Sequence, residues 1–177
     1  MTFMHLADFA GAKYIDEEAY ADYLHENRSR FPPRALAFAS AEWHYDYNHS
    51  RCPHDASLLT LQVIEDKAAE SEFRKIDIRV RLLGAYHDGH IDLAYLNVQK
   101  FSVNVYAFKE LSCFRGFGDW LIDEIRLLEL GRVVHEVQWS NAKWQIECDD
   151  IDCRWTPIPG ASRAEDHLGS IFDPPKQ

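Results

Sequence analysis

The sequence predicts an α+β fold in which N-terminal helices precede a mainly antiparallel β-sheet or sandwich of about seven strands. Three observations carry this expectation. The hydrophobic period is helical near the start, it changes to two from Leu59 onward, and turn signals rather than helices separate the strand-like runs. Strands linked by hairpins point to antiparallel pairing and away from a βαβ fold.

Residues 1–13 show no clear period. From Asp16 the pattern turns helical. Asp16 suits an N-cap, Glu17 and Glu18 suit the positive end of the helix dipole, and Ala19, Tyr20, Tyr23 and Leu24 form an apolar stripe. This helix is expected to end near Arg30, ahead of Pro32-Pro33. A second short helix follows over Ala35 to Ala41, with Pro33 near its first turn. Residues 43–56 read as a loop rich in polar and aromatic groups.

Leu59, Leu61 and Val63 then alternate with Thr60 and Gln62. Ile76, Ile78, Val80 and Leu82 alternate with charged residues and form the cleanest half-buried strand. Asp88-Gly89 signals a hairpin with a type I′ turn, which needs positive φ at both central residues. Ile91, Leu93 and Tyr95 face one way, and Val103 and Val105 continue in the next strand. Residues 109–119 read as a glycine-containing loop, followed by a largely apolar strand from Trp120 to Leu128 and a turn at Gly131. Val133, His135, Val137 and Trp139 alternate with Val134, Glu136 and Gln138, and Asn141-Ala142 marks another turn. In the last stretch Trp144, Ile146 and Cys148 are even while Ile151, Cys153 and Trp155 are odd, so a bulge or tight turn is expected at Asp149-Asp150.

The expected organisation is a single α+β domain over residues 1–156, helical over 14–41 and β-rich over 57–156, with an irregular tail over 157–177. Lys plus Arg number 19 against 29 Asp plus Glu, a formal net charge of −10. An acidic surface repels phosphate backbones and anionic lipid, which argues against nucleic-acid and membrane partners and favours high solubility or a basic protein partner. The N-terminus lacks a basic region followed by a continuous apolar stretch, and no run approaches the about 18 apolar residues of a membrane span, so a cytoplasmic location is expected. Cys52, Cys113, Cys148 and Cys153 show no C-x-x-C spacing and are expected to be free thiols.

Two groups of residues are chemically suggestive. His44, His49, Cys52, His54 and Asp55 are all capable metal ligands within one loop, and they support an alternative reading as a Zn²⁺-binding or metal-dependent catalytic domain, although their spacing matches no strong zinc signature. Asp119, Asp123, Glu124, Glu147, Asp149, Asp150 and Asp152 concentrate late in the chain as a candidate acidic binding surface. His135 shares a strand face with Val133, Val137 and Trp139 and reads first as a hydrogen-bonded core histidine. Trp120, Trp144 and Trp155 suit the core better than interface anchors. The motifs G-x-S-x-G, G-x-G-x-x-G and the P-loop do not occur, so no catalytic residue is assigned.

Between His54 and Trp155, several segments resemble a loosely defined group of small acidic bacterial proteins. They are Cys52-Pro-His-Asp-Ala, Leu83-Gly-Ala-Tyr-His-Asp-Gly-His-Ile-Asp-Leu-Ala-Tyr-Leu-Asn-Val, Gly118-Asp-Trp-Leu-Ile-Asp-Glu, Val134-His-Glu and Ile146-Glu-Cys-Asp-Asp-Ile. Such proteins are similar in size and acidity to immunity proteins of polymorphic toxin systems. The resemblance implies a non-enzymatic inhibitor of a cationic toxin, whose acidic patch steers association. It transfers no catalytic residues.

Overall fold

The computed structural model describes residues 2–6, 13–66, 74–105 and 116–161. A short ribbon, β1 (Met4–Leu6) paired with β2 (Lys13–Ile15), comes first, followed by helices α1 (Glu17–Asn27) and α2 (Pro33–Ala39). Then come β3 (Ser57–Asp66), β4 (Lys75–Leu83), β5 (Gly89–Leu96), β6 (Lys100–Val105), β7 (Trp120–Leu127), β8 (Val133–Trp139), β9 (Ala142–Cys148) and β10 (Asp150–Pro157). These eight strands form two four-stranded antiparallel sheets of order β10-β5-β4-β3 and β6-β9-β8-β7. The fold is therefore α+β and sandwich-like, as the change of hydrophobic period predicts.

The two sheets share a corner. β5 passes into β6, and β9 passes into β10 through Asp149, while pairing runs across the bend: β10 on β5, β9 on β6. The Asp149 amide donates to the Leu96 carbonyl at 2.9 Å, and the Gln99 amide donates to that of Glu147 at 2.8 Å. Strands that switch sheets need a local irregularity to do so, and Asn97 supplies one with φ of +49°. The parity change expected at Asp149-Asp150 is this corner. It also splits one expected strand into two, so eight strands stand where about seven were expected. Away from the corner, a bridge between Ser57 and Asp119 brings the starts of β3 and β7 together.

Helix starts follow the local chemistry. Asp16 caps α1 by accepting from the Ala19 amide at 3.1 Å. The residue preceding α2 is Pro32, which has no capping side chain. Asp150 on β10 takes that role, accepting from the Ala35 amide and from Arg34 Nε, both at 2.9 Å. Between the sheets, Trp120, Trp139 and Trp144 pack as mutually tilted or edge-on rings 5.1 to 5.5 Å apart. β8 is buried at every position, on both of its faces.

Three expectations are corrected. Residues 1–13, without period in sequence, contain β1 and the start of β2. The β4–β5 hairpin exists, but its turn spans Gly84 to Asp88 and the positive φ belongs to His87, not to Asp88-Gly89. Gly89 is a strand residue for a steric reason, since a Cβ there would lie 2.1 Å from the Trp155 ring. Residue 142, expected in a turn, begins β9, and the turn sits at Ser140-Asn141. The loop expected over 109–119 is described only from Gly116, and the tail only to Ala161; Cys113 lies outside the described residues. Cys52, Cys148 and Cys153 are free thiols.

Candidate functional site

β7 is an edge strand, and an edge leaves backbone N–H and C=O groups unpaired. Here the preceding loop and helix close it. Ala56 and Asp55 pair with the Trp120 backbone at 3.0 and 2.8 Å. Further along, three tyrosine hydroxyls continue the pattern at every second residue. Tyr45 donates to the Asp123 carbonyl at 3.0 Å, Tyr20 bonds both backbone groups of Ile125, and Tyr23 accepts from the Leu127 amide at 2.8 Å. This row fixes α1 and the 43–56 loop against the second sheet.

The same contact buries charge. Asp123 and Glu124 are adjacent on β7, so their side chains leave opposite faces. The Glu124 carboxylate accepts from Thr2 Oγ1 and from the Phe3 and Met4 amides at 2.6 to 2.8 Å, and it pairs with Arg126 at 2.7 Å. It therefore holds the N-terminal segment in place.

The Asp123 carboxylate, on the other face, meets three buried side chains. His44 Nε2 and His135 Nε2 each lie 2.9 Å from its Oδ2, and Trp120 Nε1 donates to Oδ1 at 3.0 Å. The partners assign the protons. His44 Nδ1 lies 2.8 Å from the Phe38 carbonyl, so both of its nitrogens face acceptors and the ring carries both protons. Tyr95, whose phenol burial pushes well up, keeps its proton and donates to His135 Nδ1 at 2.9 Å. His135 then donates through Nε2.

Burial alone would discharge both members of the Asp123–His44 pair. For Asp123 the burial effect is outweighed by the charge of His44 and by the hydrogen bonds of both histidines, which hold its carboxyl well below the usual carboxylate range. For His44 burial is outweighed by Asp123 and the Phe38 carbonyl, which raise it above the ordinary histidine value. The pair is thus an internal salt bridge, with His44 1% and Asp123 1% exposed. Every polar atom on it serves the packing of loop 43–56 and α2 on β7 and β8. We read it as a brace.

The metal-ligand candidates do not come together in the loop. His44 points inward to Asp123, and Cys52 Sγ donates to the His44 carbonyl at 3.0 Å. His49 stacks on Trp43, whereas His54 packs at a tilt against Tyr47 and lies 3.3 Å from Asp55. Among the described residues, no group of three His, Cys, Asp or Glu side chains is arranged to hold a metal ion.

The late carboxylates also separate. Asp123, Glu124 and Asp150 are buried, and each acts as an internal acceptor. Glu147 pairs with Lys100, Asp152 with Arg154, and Asp149 accepts from Asn97 Nδ2 at 2.6 Å. Asp119 is exposed at the start of β7. These seven therefore do not form one solvated surface, because strand alternation and cross-sheet caps draw three of them inward.

A different acidic surface stands in the helical layer. Glu17, Glu18, Asp22 and Glu26 are exposed along α1, which contains no Lys or Arg. Glu42 and Asp46, also exposed, follow in the next loop. None of the six forms a salt bridge with another described residue. In sequence Glu17 and Glu18 read as dipole partners of the helix, which they are; their membership of a larger unpaired set appears only once α1 and loop 43–56 are packed together. No helix among the described residues is long and apolar enough to cross a membrane. No protein-family model matches the chain, and no curated protein matches it.

Proposed function

We propose that this chain is a non-enzymatic binding domain for a basic protein, with immunity-type inhibition of a cationic bacterial toxin as its concrete form. The observation that carries this reading is the unpaired acidic face of α1 and the following loop. The buried carboxylates are each paired with a cation: Asp123 with His44, Glu124 with Arg126, Glu136 with Lys143 and Asp150 with Arg34. Among the described residues, the excess negative charge therefore resides on the surface. A surface of one sign speeds association with an oppositely charged partner and discriminates against like-charged ones. The chain's similarity in size and acidity to immunity proteins supports the same reading.

The test is co-expression. Each protein encoded beside this chain is expressed alone and together with it. The expected result is one basic neighbour that arrests growth alone, is harmless in the presence of this chain and co-purifies with it. If every neighbour is harmless alone, or if the toxic one stays toxic and elutes separately, the immunity form is overturned.

A further inference from the structure

The acidic layer contains a trough. One face of α1 supplies Tyr20, Ala21 and Leu24, and α2 and the segment after it supply Leu36, Ala39 and Tyr45; between them is an open cleft of about 520 Å³. Its rim carries three carboxylates, Glu17, Glu42 and Asp46, against one guanidinium, Arg28, and the imidazole of His25. Tyr20 and Leu24 are buried, so the floor is closed, while Ala21 is exposed. From Glu17 to Arg28 the helix axis advances about 16 Å. The site is thus elongated, apolar below and net negative above.

Resting on the binding function proposed above, we infer that this trough is where the partner docks, and that its occupant is a short basic segment of a protein presenting apolar side chains to the floor and Lys or Arg to the rim. Three features select that occupant. A segment of chain suits a trough that is long and open along one side better than it suits an enclosed pocket. The apolar floor asks for aliphatic or aromatic anchors, which dominate binding energy when desolvated. The surplus of carboxylates asks for cations beside those anchors, and it repels acidic peptides. Glu17 also lies close enough to Tyr47 to raise its phenol, behind the burial of that ring, which places negative potential at the α1 N-terminal end of the trough.

The test uses the full chain and two synthetic peptides in isotope-edited NMR titrations. One peptide carries Leu and Trp anchors between Lys residues; the other has the same charge with Ser in place of each anchor. The first is expected to shift the Ala21, Leu24, Leu36 and Ala39 resonances and to bind at least about tenfold more tightly than the second. Ala21→Trp fills the trough without altering charge, and it should remove that tenfold advantage while the protein keeps its wild-type circular dichroism spectrum. Equal binding of both peptides, with shifts confined to Glu18, Asp22 and Glu26, would overturn the trough and leave the acidic face standing. If neither peptide shifts any residue of α1 or loop 43–56, the trough and the acidic-face reading fall together.

Discussion

Tyr20 bonds both backbone groups of Ile125: its hydroxyl accepts from the amide at 2.8 Å and donates to the carbonyl at 2.9 Å. A single side chain thereby replaces the missing neighbour strand at that point of β7. Burial raises the phenol well above its ordinary pKa, so it stays protonated and can do both. Tyr20→Phe keeps the ring packing and strands two buried backbone groups. A loss of about 2 kcal/mol is expected, together with faster hydrogen exchange at the Ile125 amide. Unchanged exchange there would show that the edge is closed by something else.

Removing the charge of Asp123 leaves His44 buried without its counterion. Asp123→Asn should cost on the order of 3 kcal/mol, a fall in Tm of roughly 10 °C by thermal denaturation. His135→Gln, which keeps one hydrogen bond and leaves the ion pair intact, should cost less. Equal losses would contradict the assignment of the charge to His44.

The same pair sets a pH dependence. His44 is raised in the folded state, so its contribution is full below the ordinary value of 6.5 and is lost as pH rises through the raised one. Asp123 is depressed, so its contribution is full above the ordinary value of 3.8 and is lost only at lower pH. Their joint contribution is therefore greatest between these two values and declines above 6.5. Denaturant unfolding from pH 6 to 9 should show a decline in wild type that is shallower in His44→Gln. Parallel curves would place the titration elsewhere.

Gly89 and Trp155 meet across the β5–β10 pair, where an added Cβ would lie 2.1 Å from the indole. Gly89→Ala should cost about 1–3 kcal/mol as overpacking. The penalty should shrink in a Trp155→Val background, because the clash is specific to that ring. An additive double mutant would exclude the steric explanation.

Leu130 is 92% exposed with φ of +62°, in the turn between β7 and β8. Left-handed backbone is unfavourable for Leu and tolerated by Asn. Leu130→Asn is expected to stabilise by about 0.5–1 kcal/mol, whereas Gly131→Ala, at φ of +73°, destabilises. Destabilisation by Leu130→Asn would mean that this side chain makes a folded-state contact.

Much of the fold is legible in sequence because burial on one face imposes a period. β4 alternates cleanly, Asp16 announces α1, and the parity change between Cys148 and Ile151 marks the sheet corner. The site is less legible because its contacts are remote in sequence. His44 lies 79 positions from Asp123, and loop 43–56 has no period to say which of its side chains turn inward. One signal was present: Asp123-Glu124 sits within an apolar run, and adjacent strand residues point opposite ways, so at least one carboxylate had to be buried. The Asp150 cap of α2 carried no signal, since the helix and its cap belong to opposite ends of the chain. Gly89 reads as a turn glycine in sequence, but only Trp155, packed against it from β10, explains why it must lack a side chain.

The most direct test of the central claim compares affinity purification of wild type with Glu17→Gln/Glu18→Gln/Asp22→Asn/Glu26→Gln from cells of the native host, at low and high salt. The wild-type chain should retain one basic protein in stoichiometric amount at low salt and release it at high salt, and the folded variant should retain little or none. Equal recovery of that partner by the variant, or a stoichiometric partner that is acidic, would contradict the assignment of the α1 face as a docking surface for a basic protein.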